Sequence, residues 1–390
     1  MNERVGLDDD WNTIEHKLPA NWRELASEHG VLIHEGRAGK DGSGWQLRDA
    51  AVLLRMILHY CCTQSSLRIT TALAAALGLA DISGVALHKW MRKTGAWLAA
   101  MVSEMLSTAA HFAPERWAGY EVIAADASTV EMPGATGTTA RVHFALRLFD
   151  LCSFGILVTG PEIGETLRNF VLKARQLWIA DRGYCNANSI AHAAVAKAAV
   201  LIRFAFGPLP LFDALGAALD PRVLVRKLVK PGQLGEWHVR VHPKGKPEVE
   251  GRLIAVRLPP ESAEKARRRL YEEHKRSKVS ASMLELAQYV VLFTTVPSSR
   301  LGAEQLIELY RLRWQVELAF KRDKSIAGLD KLPNRLPETI HSWICAKLLG
   351  IELARRLAEP GEPFPPSIVG AYALRLRAAH IPAFAARFRP

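Results

Sequence analysis

The chain has 390 residues, of which 49% are hydrophobic, so it is long and apolar enough for two or three domains with their own cores, and wholesale disorder is excluded. Its 51 lysine and arginine residues outnumber the 39 acidic residues, and the formal charge of +12 favours a polyanionic partner. No apolar run approaches the roughly 18 residues of a membrane span, and the acidic, polar start MNERVGLDDDW is unlike a signal peptide.

The first 115 residues are predicted to be mostly helical. The segments LRDAAVLLRMILHYCCTQ and VALHKWMRKTGAWLAAMVSEML are long and amphipathic, and the chain between them has the layout of a helix, a short turn and a second helix. A helix-turn-helix would place residues 85–92 in a major groove, with His88, Lys89 and Arg92 as candidate DNA contacts. Many helical hairpins have this layout without touching DNA, so both interpretations stay open.

Two short apolar runs each end in an aspartate. VIAA precedes Asp126, and LWIA precedes Asp181. An apolar run that ends in an acid and continues into small or turn-forming residues predicts a buried strand with a carboxylate at its C-terminal end. Open α/β sheets have their functional sites at that edge. A helix cap or a turn residue is the alternative for each aspartate taken singly.

The segments around these aspartates complete an α/β pattern. RVHFALRLFD and SFGILVTG are predicted strands, and GETLRNFVLKA is a predicted helix. After the second aspartate, NANSIAHAAVAKA predicts a helix and AVLIRFAF predicts a strand. A last strand, YVVLFTTV, precedes the helices near the C-terminus.

A basic segment interrupts this pattern. Between residues 222 and 278 the chain has 16 lysine and arginine residues against 7 glutamates. RVLVRKLV, EWHVRVH and GRLIAVRL alternate as strands do, and PESAEKARRRLYEEHKRSK predicts a helix with basic residues along it. We expect a basic β-rich subdomain that follows a phosphate backbone. An ordinary insertion with a solvated, charged helix is the alternative.

A predicted helix near the C-terminus carries the most chemically informative residues. Tyr310, Arg313, Glu317 and Lys324 are spaced i, i+3, i+7 and i+14, so on an α-helix they would project within about 60° of one another. A carboxylate on this stripe can hold a divalent metal, while the guanidinium, ammonium and phenol can bind phosphate oxygens. The alternative is a solvated helix face with ion pairs.

Asp126, Asp181 and Glu317 form a coherent set of three carboxylates. Three acids that converge on one point would repel one another unless cations lie between them. Two Mg²⁺ ions, roughly 3.5–4 Å apart, would relieve that repulsion and assist an in-line displacement at phosphorus. We expect Mn²⁺ to substitute for Mg²⁺. The five cysteines show no CxxC spacing, so a cysteine-based zinc site is not expected.

These motifs resemble those of the DDE transposases of bacterial insertion sequences, in the IS-four family. That family carries a Y-x2-R-x3-E-x6-K signature, which YRLRWQVELAFKRDK matches at all four positions. ADAST and ADRGY resemble its two aspartate motifs. The separation of 136 positions between Asp181 and Glu317 agrees with a family in which a β-rich subdomain is inserted before the final helix. The resemblance covers about residues 115–355.

The resemblance implies an α/β fold with a ribonuclease-H-like core, a β-rich insertion and an N-terminal helical domain. The implied catalytic metal ligands are Asp126, Asp181 and Glu317, and the implied contacts to phosphates near the transferred end are Tyr310, Arg313 and Lys324. The expected divisions are residues 1–115 for a helical domain that binds DNA ends, 116–215 for the first part of the core, 216–286 for the basic insertion, 287–358 for the rest of the core, and 359–390 for a Pro-rich linker and basic tail.

We therefore expect a DNA transposase that binds terminal inverted repeats and uses metal ions to cleave and transfer strands. Its partners would be double-stranded DNA, as transposon ends and target, and a second copy of the chain in a synaptic complex. A cytoplasmic, nucleoid-associated protein without membrane contact is expected. Two alternatives are a metal-dependent nuclease without strand transfer and a catalytically inactive DNA-binding regulator derived from a transposase.

Several other side chains are weaker candidates. Asp150 ends a predicted strand, Glu131 follows the first aspartate closely, and Glu165 opens a predicted helix, where an acid is commonly explained by the helix dipole. Arg203 follows a predicted strand and is a candidate DNA contact or a plain strand-end arginine. Trp314 is expected to pack against the sheet, with base stacking as the minority interpretation.

Overall fold

The computed structural model describes residues 7–31, 47, 49–63, 65–107, 114–131, 137–149, 153–273, 279–329, 331–334 and 336–357. The predicted linker and tail at residues 359–390, and the candidate Asp150, lie outside the described residues.

Helices dominate both ends of the described chain. The α-helices are α1 Leu7–Glu15, α2 Trp22–Glu28, α3 Ala50–Cys62, α4 Leu67–Ala76, α5 Gly84–Ser107, α6 Ala187–Val195, α7 Pro221–Val225, α8 Pro260–Glu273, α9 Ala281–Leu286, α10 Ala303–Arg311, α11 Trp314–Ala327 and α12 Pro337–Leu357. Short 3-10 turns occur at Glu115–Trp117, Leu167–Asn169 and Arg182–Tyr184. Within the described ranges, no helix combines the length and the apolar character that a membrane crossing requires.

Strands occupy the middle of the chain. They are β1 Glu121–Val130, β2 Ala140–Arg147, β3 Ser153–Thr159, β4 Gln176–Ala180, β5 Ala199–Arg203, β6 Leu211–Phe212, β7 Ala218–Leu219, β8 Leu234–Val241, β9 Val249–Arg257 and β10 Tyr289–Thr294.

These strands form one mixed sheet in the order β3-β2-β1-β4-β5-β10-β9-β8-β6-β7. β1, β4 and β5 are parallel neighbours, and the other adjacent pairs are antiparallel. The segment predicted as a β-rich insertion supplies β7, β8 and β9, which together with β6, just before it, lengthen the same sheet from β10 outward.

Both faces of the sheet are covered, which explains why its central strands are apolar throughout. Val122 and Ala124 of β1 belong to one buried cluster, while Ile123 and Ala125 belong to another, as the alternation of side chains along a strand requires. The first cluster includes side chains of α3, α5, α11 and α12, and the second includes side chains of α6 and α7. The N-terminal helices therefore share a core with one face of the sheet.

Two predicted elements differ from the structure. GETLRNFVLKA forms a 3-10 turn followed by extended chain, in which Phe170 and Leu172 are buried and Val171 is 78% exposed. Burial that alternates every second residue suits an extended chain and not a helix. RVLVRKLV begins inside α7 because Asp220 accepts a hydrogen bond from the backbone amide of Arg222, which caps the helix.

Candidate active site

The two predicted aspartates lie side by side near the middle of the sheet. Ala124 of β1 pairs with Ile179 of β4, so Asp126 and Asp181, each two residues further on, are level with each other. Adjacent strands are about 4.8 Å apart, so the two side chains can act on one ligand. β4 ends just before Asp181, as predicted. The prediction that Asp126 also ends its strand was wrong, because the residues after it keep their pairing with β2.

The four residues predicted to lie along one helix are divided between two helices. α10 ends at Arg311 and α11 begins at Trp314. At the junction the amide of Arg313 donates to the carbonyl of Tyr310, three residues back, at 3.0 Å, which is the bonding of a tight 3-10 turn. Arg313 keeps a right-handed helical backbone, with φ −53° and ψ −35°. The four residues therefore do not share one helix.

The junction nevertheless brings its side chains to the second aspartate. The hydroxyl of Tyr310 donates to Oδ1 of Asp181 at 3.4 Å. Nη2 of Arg313 donates to Oε1 of Glu317 at 2.5 Å and lies 4.0 Å from Oδ2 of Asp181. One guanidinium therefore lies between two of the three predicted carboxylates.

Lys324 reaches the same edge of the sheet from the far end of α11. Its Nζ donates to the backbone carbonyl of Thr129, three residues after Asp126 in β1, at 3.2 Å. An ammonium group has three donors. The charge of Lys324 is therefore held against β1, three residues beyond the first aspartate, where it can act on an anion.

Burial and the neighbouring charges shift the pKa of Asp126. The pKa of Asp126 is raised from 3.8 to about 6, chiefly by burial and further by the negative charges of Glu317 and Glu165. The amide of Ala127, which donates to Oδ1 of Asp126 at 2.9 Å, and the guanidinium of Arg313 lower that pKa. The net effect is a raised pKa, because the nearby positive charge does not offset burial and repulsion at Asp126.

Arg313 has unused hydrogen-bonding capacity. Its side chain is only 12% exposed, and its Nε and Nη1 have no hydrogen-bond partner among the described residues. Nε of Arg203 is likewise buried without a partner in that part of the chain. Buried donors of this kind are costly unless a ligand satisfies them.

A cavity of about 280 Å³ lies next to these arginines. It is lined by Arg203, Val256, Leu258, Val290, Leu292, Ile307, Tyr310, Arg311, Arg313 and Trp314. Trp314 is 49% exposed and lines this cavity together with residues of β9 and β10, so its packing against the sheet stays a prediction. Its place in the first turn of α11, directly after the junction, explains the exposure.

Glu165 also belongs to this neighbourhood, although the sequence suggested only a helix start. It lies in the loop between β3 and β4 and precedes a single 3-10 turn. Burial raises the pKa of Glu165, Arg141 lowers it, and the charge of Asp181 raises it further. No local pattern in the sequence marks this acid, because its position depends on how the loop packs against the turn after β4.

The helix predicted to bind DNA is partly exposed and partly covered. Lys89 and Arg92 are exposed on α5, as a contact surface requires. Nε2 of His88, however, lies 3.0 Å from the side-chain amide of Asn334, and Arg92 lies 3.8 Å from Glu338 of α12. The start of α12 therefore covers part of the segment. DNA contact by Lys89 and Arg92 stays a prediction.

Within the residues that the structure describes, no group of three or more His, Cys, Asp or Glu side chains is assembled closely enough to hold a metal ion. Arg313, which contacts both Asp181 and Glu317, occupies part of the space between the acids. The assignment of Asp126, Asp181 and Glu317 as metal ligands stays a prediction.

Comparison with known proteins identifies the family. A family model described as a transposase DDE domain matches residues 117–353. The chain is 34% identical over 335 residues to the InsL protein of insertion sequence element IS186A of Escherichia coli (strain K12), with 83% of this chain and 89% of that protein covered.

Two further relatives carry the name of transposase. The transposase for insertion sequence element IS421 of Escherichia coli is 34% identical over 336 residues, covering 83% of this chain and 89% of that protein. The transposase for IS231F of Bacillus thuringiensis subsp. israelensis is 30% identical over 128 residues, covering 32% of this chain and 26% of that protein. The chain belongs to the DDE transposases of bacterial insertion sequences, in the IS-four family.

Proposed function

We propose that the chain binds the terminal inverted repeats of an insertion sequence and cleaves and transfers DNA strands with the help of two divalent metal ions. One observation carries this proposal: Asp126 and Asp181 are level on adjacent parallel strands, and Arg313 lies between Asp181 and Glu317. Arg313 thus joins carboxylates from two distant parts of the chain, and the third carboxylate is level with one of them.

The order of the first five strands supports a ribonuclease-H-like core. Three antiparallel strands, β1 to β3, are followed by β4 and β5, which lie parallel to β1 on its other side. The segment between β5 and β10 would then be the insertion, and β10 with α10 and α11 would complete the core. In this division residues 1–115 form the domain that binds transposon ends.

The residues at the site fit a hard divalent cation. All three proposed ligands are carboxylates, the ligand type that Mg²⁺ and Mn²⁺ prefer, and burial with the neighbouring acids raises the pKa of Asp126, a cost that a bound cation would offset. When bound, such ions supply Lewis-acid polarisation of a phosphodiester and a more acidic attacking water or 3′-hydroxyl. Glu317 would have to release its contact with Arg313 to act as a ligand.

The neighbouring cations would hold the phosphate backbone. Arg313 keeps two buried donors free of partners among the described residues, and a planar guanidinium binds two phosphate oxygens at once. Lys324, which donates to the carbonyl of Thr129 in the same strand as Asp126, would contribute a further point charge. Tyr310, which donates to Asp181, would keep that carboxylate oriented and contact the same phosphate.

The reaction requires two DNA ends, so we propose that two copies of the chain act together in a synaptic complex on double-stranded DNA. Lys89 and Arg92 of α5 would contact the end sequence. The exposed basic residues Lys265, Arg268 and Arg269 of α8 would contact the phosphate backbone of the DNA beyond the end sequence. The formal charge of +12 supports a polyanionic partner such as DNA.

Labelled end DNA tests the function directly. The full chain is incubated with Mg²⁺ and linear DNA that carries the inverted repeats flanking its own gene, and the products are separated on a denaturing gel. We expect cuts at the element ends and products joined to new DNA, with neither when the repeats are scrambled. Cuts without joining would support a nuclease, and binding without cuts would support an inactive regulator.

A further inference from the structure

The carboxylate of Glu165 lies directly against the turn that follows Asp181. A Cβ atom added at Gly183 would lie 1.7 Å from Oε2 of Glu165. Gly183 is not among the described glycines whose backbone is in the left-handed region. Its lack of a side chain is therefore explained by the close approach of Glu165. The sequence ADRGY thus leaves room for an acid from another part of the chain.

The loop that carries Glu165 is held on both sides. Before it, a guanidinium N–H of Arg141 donates to the carbonyl of Ile163 at 2.8 Å, and Asn169 donates to the carbonyl of Gly164 at 3.1 Å. After it, the amide of the second residue beyond Glu165 donates to the hydroxyl of a buried serine at the start of α6 at 3.1 Å. Anchors from β2, from the 3-10 turn and from α6 fix where this carboxylate is presented.

A second observation points to a ligand at the same place. Tyr184 is fully buried, and its hydroxyl has no hydrogen-bond partner among the described residues. The charges that act on this hydroxyl are those of Glu165, Asp126 and Arg141. A buried phenol normally has its hydroxyl satisfied. Here the unsatisfied group is close enough to an acid of the proposed triad and to the extra acid from the loop for both charges to act on it.

We propose that Glu165 is a fourth carboxylate ligand of the divalent-metal centre, with the Tyr184 hydroxyl positioned to donate to it or to a ligand oxygen. This inference rests on the proposed function, because it adds a ligand to the same centre. Three carboxylates give few oxygens for two cations that each prefer about six. A fourth acid beside Asp126 and Asp181 adds both an oxygen pair and a negative charge.

Two substitutions test Glu165 in different ways. Glu165→Gln removes the charge and keeps the shape. Gly183→Ala keeps the acid but displaces it, because the new methyl group would occupy the position of Oε2. Matched controls come from the same loop: Glu162→Gln removes an exposed acid, and Gly164→Ala adds a methyl group that meets nothing within 4 Å.

Mn²⁺ is the probe, with free Mn²⁺ measured by electron paramagnetic resonance during titration of the full-length chain. We expect Glu165→Gln and Gly183→Ala to weaken Mn²⁺ binding by at least about tenfold, while both controls bind as the natural chain does. Cleavage of end DNA by the two variants should be restored in part by raising the Mg²⁺ concentration. Thermal unfolding in a chelator shows whether each variant is folded.

The outcomes separate this inference from the proposed function. If the natural chain binds Mn²⁺ and cleaves end DNA, but folded Glu165→Gln binds Mn²⁺ with unchanged affinity, Glu165 is not a ligand and the inference is overturned. If the natural chain neither binds Mn²⁺ nor cleaves end DNA, the proposed function itself fails, and the inference fails with it.

Discussion

Replacing Asp126 by asparagine is predicted to abolish cleavage and yet to stabilise the fold. Burial and the neighbouring acids raise the pKa of Asp126 from 3.8 to about 6, so the folded chain holds its proton more tightly than the unfolded chain does. Ionisation of this group therefore opposes folding. The penalty is absent below pH 3.8, grows as the pH rises to about 6, and is complete above that value.

The size of the effect follows from the shift. Each pKa unit corresponds to about 1.4 kcal/mol, so the full penalty is about 3 kcal/mol at pH 8 and about 1 kcal/mol at pH 4.5. Asparagine carries no charge and can still accept the hydrogen bond from the amide of Ala127. The variant should therefore exceed the natural chain in unfolding free energy by these amounts.

Urea denaturation in a chelator, at pH 4.5 and at pH 8, measures this difference. Glu131→Gln is the control, since Glu131 is an exposed acid only five positions further along the chain and should leave stability unchanged at both pH values. A difference that does not grow with pH, or an Asp126→Asn variant less stable than the natural chain at pH 8, would refute the reasoning.

Four further outcomes are expected. Asp181→Ala should abolish cleavage while a gel-shift assay still shows end binding; undiminished cleavage would remove Asp181 from the site. Arg313→Lys should slow single-turnover cleavage at least about tenfold, because lysine lacks the planar pair of donors, and an unchanged rate would contradict a phosphate contact. Replacing both Lys89 and Arg92 by alanine should reduce the slope of log affinity for end DNA against log salt by about 2, and an equal slope would place DNA elsewhere. Arg252→Met should lower the unfolding free energy by about 3 kcal/mol in urea, since Arg252 is 2% exposed and bonds two backbone carbonyls and a carboxylate; a neutral effect would show that these bonds are dispensable.

The central strands could be predicted because their signal is local. A strand covered on both faces is apolar throughout, and the runs before Asp126 and Asp181 show this directly. The parallel register of the two runs then brings the aspartates together, because residues at equal distances beyond a paired position are neighbours. The family could also be identified from the sequence, because each of its motifs is a local pattern.

Other features depend on tertiary packing. The break between α10 and α11 leaves the helical pattern of the sequence intact, because a 3-10 junction needs no proline or glycine. Glu165 reaches the site through a loop whose anchors are contributed by β2 and α6, far away in the sequence. The half-exposed position of Trp314 follows from the junction and not from any property of tryptophan.

Anomalous scattering from Mn²⁺, in crystals of the full chain bound to end DNA, tests most directly whether the three acids share metal ions. We expect peaks within about 2.0–2.6 Å of carboxylate oxygens of Asp126, Asp181 and Glu317, next to a phosphate of the DNA end. Peaks held by other residues, or DNA bound at this edge of the sheet with no Mn²⁺ between the three acids, would contradict a metal-dependent mechanism at this site.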